Sequence, residues 1–250
     1  MSGLIDSTVL WLTWRQLFAR RRLYLAAAFS LAPLLISVFF RFTSNDVASA
    51  SVPFLTSLLR EIVIGTLLPI AALVFGTTAF GGEIDDGTLV YLLVKPLARW
   101  RIVLTKYLVA TACTMAVMIP AIVLPWLVVM NKDLPWQFAL AFLAGSAVGA
   151  IVYSAIFVTL GLTTRRALVI GLIYVIGLEI VWSRLINGIK SLSVREFAVA
   201  VTKQVGEGAV QITDTVVKMS TVWTMGTLLL VVAIVIAIRS LARYEIAERL

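Results

Sequence analysis

The sequence predicts an all-α membrane protein with six transmembrane helices, and three observations predict it. Of its residues 61% are hydrophobic and only 14% charged, against roughly 25% charged in a soluble domain, and the mean hydropathy is +1.02. The apolar residues come in runs close to the ~20 that carry a helix across the hydrocarbon. Lys and Arg gather at the ends of those runs, where they orient a membrane protein. The net charge of +8 therefore calls for a lipid bilayer and for no nucleic acid.

Ahead of the first run, Leu10, Trp11, Trp14, Leu17 and Phe18 share one helical face, with Asp6, Thr13, Gln16 and Arg20 opposite. That spacing predicts an amphipathic helix lying in the inner interface. Arg20 to Arg22 and the small residues Ala48-Ser49-Ala50 make a poor secretory signal: the basic region starts too late and the small residues lie too far beyond the apolar run.

The six spans are expected at residues 23–40, 62–80, 107–129, 138–160, 167–186 and 222–238. With the N-terminus inside, Arg15, Arg20, Arg21, Arg22, Lys95, Arg99, Arg101, Lys106, Arg165, Arg166, Arg239, Arg243 and Arg249 all fall on the cytoplasmic side, which predicts both termini there. Trp126 and Trp136 bracket one outer turn, Trp182 and Trp223 lie near another, and Trp11, Trp14 and Trp100 fit the inner surface, as an aromatic belt requires.

The outer segments are unequal. Thr43 to Glu61 is expected to end in a short amphipathic helix carrying Phe54, Leu55, Leu58 and Leu59. Asn131 to Pro135 reads as a tight turn. Residues 187–221 form the longest outer stretch, and Phe197, Val201 and Val205 on one helical face predict an amphipathic piece on the outer surface.

Between spans two and three, on the inner side, the charged run from Gly82 to Arg101 reads as a short helix over about 85–95. Asp85 or Asp86 can cap its N-terminus and complement the helix dipole, and Lys95 sits at the opposite end. Pro96 stops it. Leu89, Leu92 and Leu93 then share a side that is too short to span a bilayer and too apolar for water, so it needs a protein surface.

Site chemistry is sparse. The chain has no His and one Cys, Cys113, which excludes an intrachain disulfide and the His-Glu-x-x-His type of metal site. Gly76 to Gly81 has the glycine spacing of a phosphate loop, but Gly82 and Glu83 stand where Lys and Ser/Thr should be. No catalytic residue, metal or cofactor is expected in this chain. Glu179 is the acid deepest in a span, read equally as a polar site facing substrate or protons and as a structural contact with another helix. Gly145 and Gly149 form a small-xxx-small pair in span four, expected to serve intrachain packing, and Pro33, Pro69, Pro120 and Pro125 lie within spans.

Glu83, Gly87-Thr88-Leu89, Leu92-Leu93, Pro96, Arg99 and Lys106, in this order between spans two and three, resemble the pattern of ABC-2 type transporter permeases, the type V ABC exporters. The resemblance covers essentially the whole chain and implies a single ABC-2 type transmembrane domain over residues 1–250. It implies that 85–95 is the coupling helix, begun by Glu83 and Gly87, with Leu92 and Leu93 on an ABC ATPase subunit and Pro96 and Arg99 at the turn into span three. ATP and magnesium would belong to that partner, and a second permease subunit, identical or closely homologous, would complete the pair in a bacterial cytoplasmic membrane. The function implied is ATP-driven export of an amphipathic or lipid-like substrate. An ATP-driven complex assisting assembly of extracytoplasmic proteins is an alternative. So is an ion-coupled secondary transporter, which usually shows intramembrane charges in matched halves.

Overall fold

Uninterrupted apolar sequence folds here as long helices, because a backbone without water must satisfy its polar groups within its own segment. In the computed structural model the described residues are 20–44, 47–85, 87, 98–130, 134–164, 166–177, 193–206, 208–210, 212 and 217–247. Among them there is no strand. Four helices are long and apolar enough to cross a membrane: Ala50–Ile84, Arg99–Val129, Trp136–Thr163 and Met219–Ala242. Two shorter apolar helices, Ser30–Thr43 and Ala167–Gly177, stand where spans one and five were expected. Residues before 20, residues 88–97 and Glu179 lie outside the described residues, and with them the N-terminal amphipathic helix.

In chain order the elements are α1 (Arg20–Thr43), α2 (Val47–Ser57), a π-helical stretch (Leu58–Leu67), α3 (Leu68–Asp85), α4 (Arg99–Val129), α5 (Trp136–Thr163), α6 (Ala167–Tyr174), α7 (Val194–Val205) and α8 (Met219–Ala247).

Span two differs from its expectation. The segment carrying Phe54, Leu55, Leu58 and Leu59 is no separate outer helix; α2, the π-helical stretch and α3 run on as one rod. The Leu68 N–H bonds Val63 O, five residues back, and the Thr66 hydroxyl donates to Glu61 O, also five back, at 3.2 Å. Pro69 supplies a physical reason. Its ring would collide with the carbonyl of Gly65 in an α-ladder, and the wider π register ahead of it moves that carbonyl aside.

α5 is the central post. α3, α4, α7 and α8 all pack on it, and the closest approaches occur at glycines. A Cβ on Gly76 would stand 2.7 Å from Phe157 Cβ, and one on Gly161 would stand 2.8 Å from Thr77 O. Gly145 and Gly149 abut Ala198 and Thr202 of α7, with Leu68 beside Gly149, so this small-residue lane serves intrachain packing as expected. Side-chain hydroxyls bridge neighbours: Ser30 donates to Val117 O at 3.1 Å, Tyr107 to Ile151 O at 3.1 Å, and Thr159 to Ala233 O at 2.8 Å. α1, α6 and α8 turn Leu35, Phe39, Ile173, Leu228 and Val231 outward, as helices against lipid do.

α7 corrects a second expectation. Ser193 caps it, its hydroxyl accepting from the Glu196 N–H at 3.4 Å, and Phe197 and Val201 are buried as the helical face predicts, while Val205 is exposed. Yet Arg195, Glu196 and Thr202 are buried too. The helix does not lie on the bundle; it is wedged into it. The Gly145–Gly149 lane leaves the room.

Candidate functional site

The site lies where α3 and α4 come together at the two ends of residues 86–98. α3 continues through Glu83 to Asp85 and stops at Gly87, whose φ of +66° is left-handed. The Gly87 N–H donates to Ile84 O at 3.3 Å. This is a glycine helix stop, satisfying one of the carbonyls left over at a helix end. Glu83, expected to begin the coupling helix, lies in the last turns of α3, and Gly87 in the turn that follows it.

On the other side, Ala98 is extended (φ −63°, ψ 126°) and α4 begins at Arg99. The Arg101 N–H closes the first turn on Ala98 O at 2.9 Å. Arg101 lies over the Trp100 ring at 5.3 Å, and Trp100 itself is exposed, as an interfacial tryptophan would be.

Two turns into α4, Lys106 points at α3. Its side chain has no exposed surface, and Nζ approaches Glu83 Oε2 to 2.5 Å. The ammonium also donates to Ala79 O at 2.6 Å and sits 4.4 Å from the centre of the Phe80 ring. Carboxylate, carbonyl and aromatic face between them occupy the donors that a Lys brings. A buried ion pair gains little net stability when formed but costs much when one partner is removed, so it holds its two helices in one geometry.

From this pair the packing runs inward. Thr77 and Gly76 of α3 touch Gly161 and Phe157 of α5, and Thr159 of α5 reaches α8. The Glu83–Lys106 pair thus links α3 to α4, and the contacts of Gly76 and Thr77 continue from α3 to α5.

Of the sequence-predicted site residues, the structure brings Glu83, Gly87 and Arg99 to this one end. Leu92, Leu93 and Pro96 lie outside the described residues, as does Glu179. Gly76 to Gly81 is helix throughout, its N–H groups committed to the ladder. Sequence reasoning placed Lys106 in the motif without giving it a role. It missed Glu61 and Arg195 altogether: Arg195 Nη2 donates to Glu61 Oε2 at 2.7 Å, and Arg60 stands 3.9 Å from Glu61 Oε1. The one local signal was the charged pair Arg60-Glu61 directly adjoining an apolar run.

Compared with known proteins, residues 44–195 match the family model described as ABC-2 family transporter protein. The match takes in α2, the π-helical stretch, both sides of the Glu83–Lys106 pair, α5, α6 and the first two residues of α7. No curated protein matches the chain.

Proposed function

This chain belongs to the ABC-2 transporter family, whose members are non-catalytic, multi-pass membrane permeases, and we propose that it is the transmembrane subunit of an ATP-driven exporter. In this reading the six expected spans are all used and both termini face the cytoplasm. The helix expected near residues 85–95, shifted to begin after Gly87, rests Leu92 and Leu93 on a separate ABC ATPase that holds the ATP and magnesium. A second copy or close homologue completes the permease, and the cargo is amphipathic or lipid-like, because spans two and five offer mostly Leu, Ile, Val, Gly and Thr.

The observation that carries the reading is the buried Glu83–Lys106 pair. It ties together the two helices that emerge from residues 86–98, so an ATPase pushing on that segment would move α3 and α4 as one body rather than bending one of them. An interfacial helix with no partner has no use for such a tie.

The test is Leu92→Asp and Leu93→Asp. Each variant is expected to insert and reach the membrane at the wild-type level, to lose its co-purifying ATPase, and to leave that ATPase unresponsive to the permease in proteoliposomes. Retained co-purification by both variants would refute the coupling assignment.

A further inference from the structure

α7 enters the bundle from the Trp136 end of α5 and stops inside it. Gly206 abuts Ala141, Thr202 abuts Gly145 and Ala198 abuts Gly149, so α7 runs antiparallel to α5 with its N-terminus deepest. At 1.5 Å per residue, Gly149 lies about 20 Å along α5 from Trp136. With Trp136 marking the interface, Ala198 sits about two thirds of the way through a hydrocarbon core of about 30 Å.

At that depth Phe197 and Val201 gain little by leaving lipid for protein, since the tails are as apolar as they are; close packing on the Gly145–Gly149 lane and polar contacts have to hold the helix. Arg195 makes a charged one. Its side chain is 8% exposed and reaches back toward the Trp136 end, passing Gly65 to meet Glu61 at 2.7 Å. The long stem thus carries a buried cation back along the bundle onto a carboxylate of the π-helical stretch. Arg195 passes close to Gly65: a Cβ there would stand 3.0 Å from Arg195 Nε, so the side chain would have to give way slightly.

We propose that Arg195 and Glu61 form a lock that holds α7 inside the bundle, and that releasing it lets α7 withdraw toward the Trp136 side, opening the space between α5 and the π-helical stretch. Only the use of that motion, an exit kept shut while cargo loads from the opposite side, rests on the permease reading. The lock itself is a property of this chain. Arg195 is thus a positioning residue: it acts through α7.

The reporter is Ala198→Cys in a Cys113→Ala background, because Ala198 is fully buried. The full-length protein in cells is treated from outside with a charged, membrane-impermeant maleimide. With the lock intact, Cys at 198 is expected to be protected. Glu61→Gln and Arg195→Gln should each speed labelling about threefold to twentyfold, the range that interhelical polar contacts supply. The exchange Glu61→Arg with Arg195→Glu should return it toward the starting rate, which a merely disordered protein would not do. Gly65→Ala changes no charge, crowds Nε, and should also speed labelling; it decides the matter if either single charge variant fails to reach the membrane. Unchanged labelling in the variants that do reach the membrane, or an exchange variant as fast as the singles, overturns the lock. Adding ATP to the complex with its ATPase reads the other proposal separately. A rate that responds to the lock but not to ATP would remove the permease reading and leave the lock standing.

Discussion

Lys106 Nζ stands 2.5 Å from Glu83 Oε2, with no lysine surface exposed, and joins α3 to α4 at the two ends of residues 86–98. Removing one partner strands the other in a low-dielectric interior. Glu83→Gln or Lys106→Met alone should therefore cost about 3–5 kcal/mol, whereas the joint change Glu83→Leu with Lys106→Met should cost far less, since it leaves no orphaned charge. Thermal unfolding in detergent, followed by tryptophan fluorescence, checks the order. A double variant less stable than both singles would show that the pair acts by something other than mutual neutralisation.

The glycines of α3 make opposite predictions within one helix. Gly76 faces Phe157 Cβ at 2.7 Å from a notional Cβ, so Gly76→Ala must push α3 off α5 and should lose about 1–3 kcal/mol, the usual cost of overpacking. Gly81 and Gly82 have nothing within 4 Å. Alanine there meets no obstacle and raises helix propensity, for a gain of up to ~1 kcal/mol each. Equal effects at 76 and 81 would mean that the α3–α5 contact is not close.

How much of this was legible in sequence follows from the range of the interactions. The long helices were, because an apolar run and its flanking charges are local facts. The end of span two was not: Arg60 and Glu61 read as residues seeking water, and their partner Arg195 comes 134 positions later. The same distance hid the depth of α7. Its apolar face was visible, and so was the Gly145–Gly149 lane, but nothing local says that the one fills the other. At the site, Glu83 and Lys106 were both recognised in a motif while their pairing was not, since two charges on either side of a turn read as two interfacial anchors until the helices are laid side by side.

Thr159 gives a further separation of local from tertiary bonding. Its hydroxyl lies 2.7 Å from Ala155 O in its own helix and 2.8 Å from Ala233 O in α8. Thr163, one turn on, reaches, among the described residues, Thr159 O and Leu160 O of the same helix. Thr159→Val should lose about 0.6–1.7 kcal/mol, the value of an interhelical hydrogen bond in a membrane, and Thr163→Val close to nothing. Unfolding midpoints of the two variants compared side by side decide it.

Gly87 closes α3 at φ +66° with open space around it, so any cost of substitution there must come from the backbone alone. A Cβ in the left-handed region costs roughly 1–2 kcal/mol. Asn tolerates it better than other residues, and β-branched residues tolerate it worst. The expected order of stability is therefore wild type and Gly87→Asn nearly together, then Gly87→Ala, then Gly87→Val. The same series should weaken ATPase co-purification in the same order, because a helix stop that relaxes alters the direction in which the chain continues past Gly87. A flat series in unfolding midpoint would show that the stop is not left-handed, and with it would go the argument that span two ends at this glycine.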